Sequence, residues 1–187
     1  MPSSQPACGA VRISPVSASG NAIHQGVDLI AVSTDTGATW TKHQAPGDRE
    51  WTYPLREDDP MPRWVEPVAW DASGSLYTLW SDPKGLWLAR SMDAGANWTT
   101  WQIASGGDLR YFPYLVARGG GELAASWYSN LERRDIHIAR VTIAGGSQDQ
   151  PIVTEAAAFQ TDAWRASKPT AEPTRDTAGE YVPIAFL

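Results

Sequence analysis

The sequence predicts an all-β chain made of about three copies of one four-stranded antiparallel unit. Composition is the first reason: sixteen Gly and fourteen Pro punctuate turns, while ten Trp favour strands and broad packed surfaces. Recurrence is the second. Ile30-Ala31-Val32-Ser33, Leu88-Ala89-Arg90-Ser91 and Ile138-Ala139-Arg140-Val141 share one alternating pattern, that of a half-buried strand. No segment offers a good helix.

Taken in order, the first copy is ragged. Ala10 to Pro15 reads as its first strand and Ala18 to Ile23 as the next turn and strand, with less spacing before Ser33 than the second copy shows. The second copy, Val65 to about Ile103, is the cleanest. Pro67-Val68-Ala69-Trp70 is its first strand, Asp71-Ala72-Ser73-Gly74 a hairpin turn, and Ser75 to Trp80 its second strand. The third copy, Tyr111 to about Ala158, repeats this with Pro113-Tyr114-Leu115-Val116, Gly119-Gly120-Gly121 and Glu122 to Trp127. A proline opens each first strand, where no ladder hydrogen bond is needed, and Pro183-Ile184-Ala185-Phe186 has the same look. The expected units are therefore residues 9–46, 65–105 and 111–158, with 180–187 beginning a further one, inside a single domain spanning 1–187. The run Tyr181 to Leu187 reads as a buried strand that simply stops, so a longer parent chain is expected.

Composition also narrows the function. A net charge of −6 with a pI near 5.0 argues against nucleic acid, whose phosphates demand a basic face. Cys8 is the only cysteine, and His24, His43 and His137 show no ligand spacing, so neither an internal disulfide nor a metal or other cofactor is indicated. No apolar run reaches the length of a membrane span, and Met1 to Pro6 lacks both the basic and the apolar part of a signal peptide.

Two turns carry the most specific signal. Ser33-Thr34-Asp35-Thr36-Gly37-Ala38-Thr39-Trp40 and Ser91-Met92-Asp93-Ala94-Gly95-Ala96-Asn97-Trp98 share S-x-D-x-G-x-x-W, each directly after a third strand. The chemistry is local: Asp35 and Asp93 can accept N–H groups across the turn, Gly37 and Gly95 supply positive φ, and Trp40 and Trp98 pack against neighbouring sheets. Both aspartates are therefore read as turn staples with no catalytic role, Ser33 and Ser91 being structural members of the same motif. Asn97-Trp98-Thr99 matches a glycosylation acceptor, but Asn97 lies inside the turn and the match reads as incidental. Asp71 to Gly74 lacks the further acidic positions of a calcium loop.

These two motifs resemble the Asp box of sialidases and related β-propellers, a resemblance covering about three blades of this chain. It implies a partial propeller from a six-bladed parent, completed by the parent's remaining blades or by self-association. It also implies a secreted or periplasmic setting and a carbohydrate partner, a sialylated glycan. Asp boxes in that family lie away from the active face and occur in non-enzymatic relatives too. Function should concentrate in the loops leading into first strands. There Arg63-Trp64-Val65-Glu66 precedes Pro67, Arg110-Tyr111-Phe112 precedes Pro113, and Arg175, Asp176, Glu180 and Tyr181 precede Pro183.

Sialidases hold the substrate carboxylate with three arginines, use a tyrosine nucleophile helped by a glutamate, and protonate the leaving group with an aspartic acid. The resemblance thus casts Tyr181 and Glu66 as catalytic, with Arg63, Arg110, Tyr111, Arg175 and Glu180 binding substrate. The physical need is plain, since guanidinium forks match a carboxylate and adjacent positive charge lowers a tyrosine pKa. The sequence departs from the family at its amino-terminal arginine motif, echoed only by Val11-Arg12-Ile13-Ser14-Pro15, where Arg12 reads as a strand residue. No aspartic acid can be assigned as proton donor. Three readings stay open: a sialidase-like glycoside hydrolase acting on an acidic sugar, a non-catalytic propeller binding glycan or protein, and a structural array. The four-stranded register expects Arg63, Arg110 and Arg175 together at the end of the units opposite the Asp boxes, and the non-catalytic reading expects them not to converge on one pocket.

Overall fold

A computed structural model describes residues 9–13, 25–26, 29–47, 51–52, 67–82, 84–105, 110–129, 135–144, 149–159 and 184–186. Among the described residues thirteen strands follow one another, with no helix. They are β1 (Gly9–Ile13), β2 (Gln25–Gly26), β3 (Leu29–Ser33), β4 (Thr41–Gln44), β5 (Trp51–Thr52), β6 (Val68–Trp70), β7 (Leu76–Asp82), β8 (Gly85–Ser91), β9 (Thr99–Ser105), β10 (Arg110–Gly119), β11 (Glu122–Ser129), β12 (Asp135–Thr142) and β13 (Ile152–Phe159). The middle sheet, β6-β7-β8-β9, and the last sheet, β10-β11-β12-β13, are four-stranded antiparallel meanders. The first sheet has three strands in the order β1-β3-β4, and β2 pairs with β5 alone.

The period of two along each strand decides how the sheets stack. In β7, Leu76 turns to one face and joins Ile30, Val32 and Ala45 of the first sheet, with Val68, Trp70, Ala94 and Trp98 packed around them. Tyr77 and Leu79 turn to the other face, where Leu86, Leu88 and Trp101 meet Leu115, Leu123, Ala125, Trp127, Ala139, Val141 and Ile143 of the last sheet. The middle sheet is thus covered on both sides, which is why all five residues from Leu76 to Trp80 are buried. Burial of each leucine in this core contributes about 1.5 to 3 kcal/mol. By contrast, β13 is an outer strand with Ile152 69% exposed.

Three expectations change. The segment Ala10 to Ile13 pairs with β3, Ala10 opposite Val32 and Arg12 opposite Ile30, so it holds the second-strand position and not the first. It is a strand of the right character whose neighbour could not be read from spacing alone; Ala18 to Ile23 lies outside the described residues. Pro113 does not open its strand. It lies within β10 where the pairing with β11 slips between Tyr111 and Tyr114, an irregularity that suits a residue with no N–H to offer. Ile184 to Phe186 belong to no strand, and Phe186 instead lies under the Arg118 guanidinium, 5.8 Å from the ring centroid.

Candidate functional site

The two S-x-D-x-G-x-x-W turns connect third to fourth strands, β3 to β4 and β8 to β9, and they are built alike. Thr36 and Gly37 take φ of 60° and 89°, and Ala94 and Gly95 take 55° and 91°. The Ala38 N–H donates to the Asp35 carbonyl (3.2 Å) and the Ala96 N–H to that of Asp93 (3.3 Å). Two central residues at positive φ closed by such a bond are the signature of a type I′ turn.

Around that turn the side chains interlock. Asp35 Oδ1 accepts from the Ser33 hydroxyl and the Thr39 N–H, both at 2.8 Å, and Oδ2 accepts from the Thr39 hydroxyl at 2.5 Å. Ser33 Oγ in turn accepts the Gly37 N–H at 2.8 Å. The second turn repeats these four bonds: Ser91 Oγ and the Asn97 N–H reach Asp93 Oδ1 at 2.8 Å, Asn97 Nδ2 reaches Oδ2 at 2.7 Å, and the Gly95 N–H reaches Ser91 Oγ at 2.7 Å. The Asn97 amide is therefore already engaged within the turn.

These donors set the electrostatics. The Thr39 hydroxyl, then its N–H, then the Ser33 hydroxyl lower the Asp35 pKa to about 2, and Asn97 and Ser91 do the same for Asp93. Carboxyls held so low are ionised at neutral pH and have no proton to give. The tryptophans differ. Trp98 packs against the core between the first and middle sheets, whereas Trp40 is 47% exposed and its indole N–H donates to the Gly37 carbonyl at 3.1 Å. Trp98 has the first sheet beside it, whereas nothing buries Trp40 among the described residues; the expected packing holds for Trp98 and fails for Trp40.

A third aspartate turn joins β6 to β7. Asp71 is 7% exposed and accepts from the Ser73 N–H (2.8 Å), the Ser73 hydroxyl (2.6 Å), the Ser75 N–H (3.0 Å) and the Tyr77 hydroxyl (2.9 Å). Burial alone would raise its pKa, but hydrogen bonds from Ser73, Ser75 and Tyr77 outweigh that and hold it below the usual value. Burial, the Asp71 hydrogen bond and the Asp71 charge push the Tyr77 phenol up to about 12. Opposite Tyr77 on β8 stands Arg90, 4% exposed, with its guanidinium 5.6 Å over the Trp101 ring and Nη1 donating to the Ala144 carbonyl at 3.4 Å. This buried polar row joins the middle and last sheets. Alternation places Tyr77 and Arg90 on one face, so a register of β7 against β8 would have found it; the turn alone did not.

Of the residues expected to handle substrate, Arg63, Glu66, Arg175, Glu180 and Tyr181 lie outside the described residues. Arg110 and Tyr111 open β10, opposite Ser129 and Tyr128 of β11. The other end of β10 turns at Gly119, where an added Cβ would come within 3.3 Å of the Ala72 Cβ in the β6–β7 turn. That turn shares an end of the middle sheet with the second Asp box, since Leu76 pairs with Ser91. A Cβ on Gly95 would in turn meet His43 of β4 and Val32 of β3, so the second of these turns lies against the first sheet. Ten strand residues of about 3.3 Å each therefore separate the Arg110 end from the box end, about 30 Å.

The last sheet also holds a polar cluster, Ser129, His137 and Glu155, to which sequence spacing gives no clue because three strands supply it. Among the described residues no three His, Cys, Asp or Glu side chains converge as metal ligands, and no helix is long and apolar enough to cross a membrane. Compared with protein-family models, with curated proteins and with solved structures, the chain matches none.

Proposed function

We propose that the chain is part of an Asp-box propeller of the sialidase-like kind, whose parent hydrolyses the glycosidic bond of a terminal sialic acid or another acidic sugar with retention. The observation that carries this reading is the duplicated S-x-D-x-G-x-x-W turn, bonded alike in both copies and remote from the end where Arg110 leads into β10. In this reading Arg63, Arg110 and Arg175 bind the sugar carboxylate, Tyr111 and Glu180 line the site, and Tyr181 attacks the anomeric carbon with Glu66 drawing off its proton. Further blades of the parent, or a second copy of this chain, complete the ring. The mechanism asks for no cofactor, and the setting that accords with it is secreted or periplasmic.

A second reading, a propeller that binds glycan or protein without catalysis, has its own support. Each described carboxyl with a displaced pKa, Asp35, Asp71 and Asp93, is displaced downward, so none is poised as the acid a leaving group needs. Ligand-observed NMR with sialic acid separates the outcomes. Saturation transfer that disappears in Arg110→Ala supports a carboxylate site at that end, and no transfer in either protein overturns both carbohydrate readings. Turnover of a fluorogenic sialoside by the longer parent, lost in Tyr181→Phe, selects the enzyme; binding without turnover selects the module.

A further inference from the structure

The cluster on the last sheet is wired in a particular order. Ser129 Oγ lies 2.6 Å from His137 Nε2, and His137 Nδ1 lies 2.5 Å from Glu155 Oε1. When the neutral imidazole donates its Nδ1 proton to the carboxylate, Nε2 presents its lone pair to Ser129. The Ser129 hydroxyl therefore donates to Nε2. Its oxygen is left polarised and free to attack, with a base already on its proton.

Register explains why three strands converge here. Trp127 pairs with His137 directly, and Ser129 lies two residues beyond Trp127 on the same face of β11. Ala139, two residues beyond His137, pairs with Glu155 of β13, which brings that carboxylate diagonally onto the imidazole. Trp127 is 5% exposed and stacks on His137 with ring centroids 5.3 Å apart and planes 5° apart. Two hydrogen bonds and a stacked ring thus hold the imidazole in one orientation. The cluster shares the face of the last sheet that packs on the middle one, at the end where β11 leaves for β12. The His137 and Glu155 side chains are 23% and 52% exposed there, so water and a ligand can reach them.

We propose that Ser129, His137 and Glu155 form a serine-nucleophile site that takes acyl groups from carboxylic esters. Ser129 Oγ bonds to the ester carbonyl carbon as its proton passes to His137 Nε2. The carbon–oxygen bond to the alcohol then breaks, and the departing alkoxide takes that proton, leaving an acyl-serine and a free alcohol. Water, deprotonated by His137 Nε2, attacks the acyl-serine; the carboxylic acid leaves and the proton returns to Ser129. Glu155 touches no substrate and is a positioning residue, holding the tautomer and stabilising the imidazolium as it forms. Esters are favoured over amides because an alkoxide leaves with one proton from a single base, whereas an amine asks for stronger activation. The chemistry does not rest on the glycosidase reading: it uses none of that reading's residues, although Ser129 pairs with Arg110 at the same end of the last sheet, and its side chains come from the two inner strands, β11 and β12, and the outer strand β13.

The test uses the whole 187-residue chain and a fluorophosphonate probe, which captures a base-activated serine irreversibly. Peptide mapping by mass spectrometry is expected to place one adduct on Ser129, absent in Ser129→Ala. The labelling rate is expected to fall at least about a hundredfold in His137→Ala. His137→Gln replaces it if the alanine variant fails to fold. Glu155→Gln is expected to slow labelling in a folded chain and Glu155→Asp to restore much of the rate; a merely structural glutamate leaves the labelling rate unchanged. A folded wild-type chain with no adduct on Ser129, or one labelled equally fast without the imidazole, overturns the proposal and makes the cluster a cross-strand tie.

Discussion

Removing the Asp71 carboxylate tests how the middle sheet is held at its hairpin. In Asp71→Ala, two well-buried donors lose their acceptor: the Tyr77 hydroxyl, on a residue 1% exposed, and the Ser75 N–H, on a residue 9% exposed. Each such loss costs about 1 to 3 kcal/mol, while the exposed Ser73 groups turn to water at little cost. The Ser75 hydroxyl also lies within hydrogen-bonding reach of the phenol and offers a neutral substitute, so the lower half of the range is expected, about 2 to 4 kcal/mol in all. Tyr77→Phe should cost about 1 to 2 kcal/mol, since Asp71 keeps its three other donors.

The double variant is the decisive measurement. With the phenol gone, loss of the carboxylate no longer strands a buried donor at Tyr77, so the two effects should fall short of additivity by about 1 to 2 kcal/mol. Urea unfolding followed by tryptophan fluorescence reads all four proteins, provided m stays constant. Additivity within about 0.5 kcal/mol would refute the claim that the Tyr77–Asp71 bond organises this hairpin. An alkaline absorbance titration adds an independent check: one tyrosine should ionise near 12, and that step should vanish in Tyr77→Phe.

Asp35 and Asp93 give an acid signature. Their folded pKa of about 2 lies below the ordinary 3.8, so the stability they contribute is complete above about 3.8 and is lost as pH falls through about 2. Thermal unfolding measured through that window should drop more steeply in the wild type than in Asp35→Asn/Asp93→Asn. Thr36 is a β-branched residue at φ 60°, and Thr36→Asn should stabilise the chain by about 1 kcal/mol, measured as a rise in Tm. Gly121→Ala should cost about 2 to 4 kcal/mol in urea unfolding, because its Cβ would come within 2.0 Å of the Ile143 carbonyl oxygen at φ 77°. Gly120→Ala, also at positive φ but with open space around the Cβ, should cost only about 1 kcal/mol.

Much of the fold was legible because its signals are local. The third strands, the Gly- and Asp-marked turns and both S-x-D-x-G-x-x-W turns depend on residues within eight positions of one another, and the structure places each where periodicity and turn chemistry put it. The role of β1 was not legible, since an alternating segment of five residues pairs equally well with either neighbour and only the sheet selects one. Arg110 could be assigned to a strand and an end; its companions Arg63 and Arg175 lie outside the described residues.

By itself, then, the sequence determined the all-β character, the hairpin order of the second and third units, and the fate of Asp35 and Asp93 as turn staples, because each follows from bonds closed within one turn or one strand. Only the tertiary structure decided which tryptophan of the two boxes is covered, that Tyr77 and Arg90 form a buried row between sheets, and that Ser129, His137 and Glu155 meet across three strands. Those outcomes turn on register and on which face of a sheet finds a partner. Shifting a strand by one residue sends every side chain to the opposite face, and no local preference in this chain distinguishes the two choices.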